Sequence, residues 1–329
     1  MKKVSVIGSG SWGSTLALVL NDNKHDVTLY VRKKKQLYEL TENHTNSEYL
    51  KDVLFPDDIH YTSDIKQAVT EADFIVTAVT TQATREVLQN IKPYLKKDSI
   101  VINVSKGLEL GTNLLISQIY DEIIGNENYV VLSGPSHAEE VALKIPTAVV
   151  SASAVHENAE KVQRLFSNDY FRVYTNIDVK GVELGGAIKN IIALGCGISD
   201  AVGYGDNTRA AIITRGMAEI SRFGKFTGAN PLTFLGLSGI GDLIATCNSK
   251  YSRNKAAGMY IAKGYSIEQI KNKIHMAVEG IPTTKAVYEA AHKHGISMPI
   301  TDAIYGVIYE RHDIKICVQK LMQRDMKLE

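Results

Sequence analysis

The 329-residue sequence predicts an α/β N-terminal domain with a largely parallel sheet, followed by an all-α C-terminal domain. Three observations predict it. Short β-branched runs alternate with longer amphipathic ones through the first 175 or so residues, the pattern that feeds parallel strands through helical crossovers. A glycine-rich turn separates the first such run from the first helical stretch. Past Asp178 the texture changes to Ala, Gly, Leu and Ile at helical spacing, with hardly any β-rich runs. The strands expected are Val4–Ile7, Val27–Val31, Phe74–Val79, Ile100–Val104, Tyr129–Leu132, Ala148–Val150 and Phe171–Tyr174. Helices are expected over Ser11–Leu20, Gly181–Val202, Thr208–Phe223 and Thr283–His294. The boundary falls near residue 180, giving domains 1–180 and 181–329; no flexible linker intervenes, so their junction is the natural cleft.

Composition narrows the function classes. Lys plus Arg total 37 against 36 for Asp plus Glu, so a net charge of +1 offers no general field for nucleic acid or an anionic membrane, and any anion must be bound locally. Cys196, Cys247 and Cys317 are odd in number and widely spaced, which argues against a disulfide framework or a zinc site and fits a reducing, cytoplasmic compartment. The apolar stretch behind Met1-Lys2-Lys3 ends at Ile7, too short for an export signal. No apolar run approaches the roughly 18 residues that span a bilayer. A soluble protein without stable membrane insertion is expected, and no metal.

The first motif is Gly8-x-Gly10-x-x-Gly13, between a short apolar strand and a helix. Its glycines permit a tight turn, close approach of backbone to a pyrophosphate and close helix-to-strand packing, while the helix N-terminus supplies free N–H groups. This context points to a Rossmann-type dinucleotide site. At the end of the second strand, where an NAD site normally places a carboxylate for the ribose 2′-OH, stands Tyr30-Val31-Arg32-Lys33-Lys34-Lys35. A guanidinium there suits a 2′-phosphate, so NADPH is the favoured cofactor with NADH as the alternative. Lys34 and Lys35 read as a solvated charge run at a helix start. Other ligand-edge groups follow later strands: Thr80-Thr81, Ser105-Lys106-Gly107, and Ser133-Gly134-Pro135-Ser136-His137-Ala138. Lys106 places an ammonium on that edge, and His137 is as readily a hydrogen-bonded loop residue as a cofactor contact.

In the second half, Lys189 is a single cation within the apolar helix that starts at Gly181, with Gly185, Gly186 and Ala193 on its face. Two glycines in a helix interior cost about 1–2 kcal/mol against alanines, so a ligand or another backbone must come close there. A partly desolvated amine disfavours its charged form, which suits proton donation near neutral pH and makes Lys189 the general acid. The competing reading is a snorkelling lysine or one paired structurally with Glu183 or Asp242. Downstream, Gly239-Ile240-Gly241 sets Asp242 and Thr246 at i and i+4, one face if the segment coils. Ser252-Arg253-Asn254 offers the charged and neutral donors that a small phosphate needs.

Taken together and in order, the GSGSWG turn, Ser105-Lys106-Gly107, Gly134-Pro135-Ser136, Gly181-Val182-Glu183-Leu184 leading into Lys189-Asn190, Gly241-Asp242-Leu243, Ser252-Arg253-Asn254 and Val278-Glu279-Gly280 resemble bacterial NAD(P)-dependent glycerol-3-phosphate dehydrogenase over essentially the whole chain. The resemblance implies reversible reduction of dihydroxyacetone phosphate to sn-glycerol 3-phosphate, supplying glycerophospholipid synthesis, with Lys189 as proton donor and acceptor. It implies that Gly8, Gly10, Ser11, Trp12, Gly13, Arg32, Lys33, Tyr49, Lys106, Gly134, Ser136 and Ala138 line the cofactor, with Arg253, Ala277 and Glu279. For the substrate it implies Lys106, Gly134, Ser136, Lys189, Asn190, Asp242, Thr246, Ser252, Arg253 and Asn254. Two stretches depart from the pattern. Thr80-Thr81 stands where relatives often have Pro-Ser, and Tyr49-Leu50-Lys51 lacks the usual following Pro-Gly. The oligomeric state stays open, a homodimer being one option. The rival readings are another dehydrogenase of this architecture, acting on a phosphosugar or hydroxyacid, and an NADPH-binding regulatory sensor without turnover.

Overall fold

A computed structural model describes residues 1–326. Eight strands form one sheet: β1 (Lys3–Ile7), β2 (Asp26–Tyr30), β3 (Ile59–Thr62), β4 (Phe74–Thr77), β5 (Ile100–Asn103), β6 (Tyr129–Ser133), β7 (Thr147–Ala152) and β8 (Phe171–Asn176), in the order β3-β2-β1-β4-β5-β6-β7-β8. All neighbours are parallel except β6 and β7. The connecting helices are α1 (Ser11–Asp22), α2 (Lys34–Glu42), α3 (Ile65–Val69), α4 (Thr84–Ile91), α5 (Ile116–Ile124), α6 (Ala138–Ala142) and α7 (His156–Phe166). Then follow only helices: α8 (Val179–Ala201), α9 (Asp206–Thr227), α10 (Asp242–Asn248), α11 (Arg253–Ala262), α12 (Ile267–Ile274), α13 (Gly280–Lys293), α14 (Pro299–Tyr309) and α15 (Ile314–Met322).

Alternation along the strands explains why the sheet is covered on both faces. Val4, Val6, Phe74, Val76, Ile100, Ile102, Val130 and Leu132 join one buried cluster with α1 and α7, whereas Ile7, Ile75, Val101, Tyr129 and Val131 join another with α4 and α5. Because both faces are dry, these strands read as continuous apolar runs rather than alternating ones. Strand β3 is the element absent from the sequence-based expectation. It is a four-residue edge strand in which only Ile59 and Thr62 are buried, so it offers no apolar run to detect. The short second-strand register also shifts by one residue, to end at Tyr30 rather than Val31.

The chain divides into two compact units, residues 1–106 with 114–183, and residues 107–113 with 184–329. Helix α8 begins in the first and continues into the second. Contrary to the expectation that no apolar segment is long enough to span a bilayer, α8 is: its 23 residues include a window of mean hydropathy 1.3, and that window is entirely buried within the fold. Its apolar girth is that of a core helix, hydrophobic all round because it is surrounded on all sides.

Two buried carboxyl groups accompany these helices. Glu183 accepts from the backbone N–H and hydroxyl of Ser117 (2.9 and 2.6 Å) and from Tyr129 Oη (2.5 Å). Glu219 on α9 accepts from the N–H groups of Ile300 and Thr301 (2.6 and 3.1 Å), satisfying orphan donors in the first turn of α14. Burial pushes each up to about 7, from an unfolded value of 4.5. The native state therefore holds the extra proton between those values, and the cost of ionising a buried acid is absent below about pH 4.5 and fully present above about pH 7. Relative to Glu183→Gln, the wild type should lose thermal stability as pH rises from 5 to 8. Parallel melting curves for the two proteins across that range would remove this role.

Candidate active site

The three glycines of the first turn have three different neighbours. Gly8 has φ +116°, and a Cβ on it would lie 2.4 Å from the carbonyl oxygen of Ala78 at the end of β4. A Cβ on Gly13 would lie 1.9 Å from Gly8 O, so α1 packs directly on the strand it follows. Beside Gly10 there is open space. Two glycines thus serve the fold, and the third leaves backbone bare where α1 begins, the positive end of the helix. A dinucleotide pyrophosphate fits this cradle. Trp12 is half-buried, its ring 6.4 Å from that of Phe171.

The turn is held by residues that sequence reasoning missed. Ser9 O accepts from Gln36 Nε2 (2.6 Å), Asn46 Nδ2 (3.0 Å) and Ser14 Oγ (3.2 Å), and Gln36 also donates to Asn46 Oδ1 (3.0 Å). Ser11 Oγ donates to Tyr49 O (2.6 Å), so the 46–50 segment lies against the turn. Nothing in the sequence marks Gln36, which with Leu40 is one of the two buried residues of α2. Arg32 is exposed just past β2, and Lys33, the N-cap residue of α2, donates to Glu48 Oε1 (2.8 Å) and Tyr49 Oη (2.7 Å). Lys34 and Lys35 open α2 in solvent.

The carboxyl ends of β1, β2, β4, β5 and β6 share one sheet edge, where an open parallel sheet binds ligands. There Lys106 Nζ donates to Gly134 O (3.1 Å), as does Ser136 Oγ (3.0 Å). Gly134 has φ +143°, and a Cβ would lie 2.9 Å from Val149 Cα, so only glycine passes between β6 and β7. Ala138 starts α6, its carbonyl bonded by Thr15 of α1 (3.2 Å). The lysine, glycine and serine singled out from sequence are therefore one constellation.

A second constellation lies in the helical unit. Lys189 on α8 and Asp242 on α10 are both almost wholly buried, 6% and 2% exposed, and Lys189 Nζ donates to Asp242 Oδ1 and to Thr246 Oγ1 (2.7 Å). The residues 242–248 do coil, and Thr246 Oγ1 donates across one turn to Asp242 Oδ1 (3.2 Å). The expectation of a desolvated, solitary amine is corrected on one point. Its burial is met by an opposite charge at contact, which favours the ammonium. Glu183, the other candidate partner, is bonded elsewhere as described. The visitor at Gly185 is backbone: a Cβ there would lie 2.5 Å from Ser238 O, in the turn that delivers Asp242.

The Ser252-Arg253-Asn254 block opens α11, and much of it is occupied with structure. Buried Ser252 is the N-cap, its hydroxyl accepting from Lys255 N (3.2 Å). Asn254 Nδ2 donates to Asn190 Oδ1 (2.9 Å), while its Oδ1 accepts from Gly280 N (2.9 Å), tying α8, α11 and the start of α13 together. Asn190 Nδ2 donates to Gly186 O (3.3 Å). Arg253 is exposed at the first helical position, and Ala277 and Glu279 lie in the segment before α13. Asp200, another residue missed, accepts from Arg209 (2.7 Å) and Lys255 (3.1 Å) and so anchors α11. Cys196 and Cys247 are buried free thiols; the neighbouring Cys196 and burial push the Cys247 thiol up, which keeps it protonated and unreactive.

Family models match almost the whole chain. Residues 3–159 match the N-terminal and residues 178–319 the C-terminal domain of NAD-dependent glycerol-3-phosphate dehydrogenase. A Bacillus velezensis protein named glycerol-3-phosphate dehydrogenase, NAD(P)+, is 50% identical over 98% of this chain and 95% of its own length. The chain belongs to this family. Its Shouchella clausii relative of the same name is 51% identical over 98% of this chain and 96% of its own. The crystal structure of glycerol-3-phosphate dehydrogenase from Coxiella burnetii superposes with a TM-score of 0.94 at 35% identity, covering 98% of this chain and 99% of that one. As a glycerol-3-phosphate dehydrogenase, the chain is an NAD(P)-dependent oxidoreductase with the α/β and helical halves its sequence predicts.

Proposed function

We infer that this glycerol-3-phosphate dehydrogenase reduces dihydroxyacetone phosphate at its central carbonyl to sn-glycerol 3-phosphate, reversibly, in the cytoplasm, for glycerophospholipid synthesis. The observation that carries the reading is the buried Lys189, held by Asp242 and Thr246. A reduced nicotinamide, when bound, supplies the hydride that C2 gains. Lys189 gives its proton to the developing alkoxide oxygen, and in the reverse direction a neutral Lys189 removes it. Asp242 and Thr246 fix the amine's direction, so the proton is aimed before substrate arrives. Arg253 and the second N–H of Asn254 hold the phosphate end, and binding energy remote from C2 orients the reacting carbon.

Arg32 gives the reading its preference for NADPH, because an exposed guanidinium just past β2 supports binding of a 2′-phosphate. Buried, unpaired thiols at all three cysteines support a reducing compartment. The full burial of α8 supports the absence of stable membrane insertion. Self-association as a homodimer completes the proposal and is measured by sedimentation velocity. The deciding assay is NADPH oxidation with dihydroxyacetone phosphate, set beside NADH. Turnover is expected with both and more efficiently with NADPH; an equal or stronger response to NADH overturns the role of Arg32, and no turnover with dihydroxyacetone phosphate overturns the substrate.

A further inference from the structure

We propose that Glu48 is a specificity-determining residue: its carboxylate, held on Lys33 beside Arg32, weakens binding of the 2′-phosphate and so narrows the enzyme's preference for NADPH over NADH. The proposal rests on the reading that the end of β2 receives the adenosine ribose.

Lys33 Nζ lies 2.8 Å from Glu48 Oε1 and 2.7 Å from Tyr49 Oη, and 5.1 Å from the centre of the Tyr49 ring. These contacts push Lys33 up and hold Glu48 below the usual carboxylate range. An ammonium has three N–H groups, so two are spent within the protein and one is left for an incoming phosphate. The carboxylate is also fixed close to that phosphate. Ser11 binds Tyr49 O, which keeps the 46–50 segment against the dinucleotide turn, and Lys33 follows Arg32 directly. A dianionic 2′-phosphate sharing Lys33 with Glu48 meets like charge; a neutral 2′-OH does not, and can donate to the same carboxylate. The charge run Arg32 to Lys35 is thus tempered at Lys33, the cation bonded to Glu48 and Tyr49. Both side chains are about half exposed, so the effect is screened by salt.

The test is fluorescence titration of NADPH and NADH into the wild type, Glu48→Gln, Lys33→Met, the double variant and Arg32→Ala. Glu48→Gln should raise the ratio of the NADH to the NADPH dissociation constant by roughly fivefold at low salt, as expected for unit charges about 4 Å apart in water, and by less at about 0.5 M salt. With Lys33→Met already in place, part of that gain should vanish, because the two act on one phosphate. An unchanged ratio, or an equal change for both cofactors, overturns the proposal while Arg32→Ala still lowers NADPH preference. If Arg32→Ala leaves the preference intact, the placement of the ribose itself is wrong.

Discussion

Lys189→Ala should lower turnover of dihydroxyacetone phosphate by about a hundred- to ten-thousandfold, the range for removing a positioned general acid, while NADPH binding stays near its wild-type strength. The two effects separate because the dinucleotide turn and Lys189 lie in different compact units. The loss should appear in kcat as much as in kcat/KM, since the proton is transferred only in the transition state. Removing the amine leaves Asp242 2% exposed with Thr246 as a neutral partner, so the variant must be shown folded by circular dichroism before its rate is read. A folded Lys189→Ala protein with near-normal turnover would assign the proton to another group, and one that binds NADPH poorly would point to a scaffold role.

Asp242→Ala should be the more damaging change to the fold. It strands an ammonium that is 6% exposed, and uncompensated buried charge of this kind costs about 3–5 kcal/mol. Thr246 cannot replace a carboxylate, because a hydroxyl offers a dipole where a full charge stood. The compensated double variant Lys189→Met/Asp242→Leu replaces both charges with apolar groups and should recover most of the lost stability without recovering turnover. Chemical denaturation of the three proteins at pH 7 measures this. If Asp242→Ala loses less than about 1 kcal/mol, the pair is not the electrostatic unit described.

The sheet was legible because β2, β4, β6 and β7 each carry four consecutive apolar or β-branched residues and β5 carries three, and burial on two faces leaves that signal largely unbroken. Strand β3 was not, since an edge strand of four residues with an exposed His60 has neither length nor pattern. The chemistry-bearing residues of the second unit were also legible: a lone cation in an apolar helix and a carboxylate fixed by Gly-Ile-Gly are conspicuous singly. Their pairing was only one of two options, because Glu183 and Asp242 are both acids within reach of a sequence argument and only the course of the 237–241 turn selects the second. Least legible were the amides. Gln36, Asn46 and Asn190 act through hydrogen bonds between segments distant in sequence, and no spacing announces such partners.

The carbonyl of Ser9, gripped by two amides and a hydroxyl, has a bearing on cofactor exchange. Backbone that must be ordered on ligand arrival charges that ordering to each binding event. Here the glycine turn is held by bonds made within the fold itself, and Gly10 stays uncovered in that shape. On the proposed reading of the turn, a nucleotide that binds there meets backbone already ordered, and the ordering cost falls on folding rather than on binding. The dehydrogenase then keeps its affinity for contacts with the ligand rather than for disciplining its own glycines.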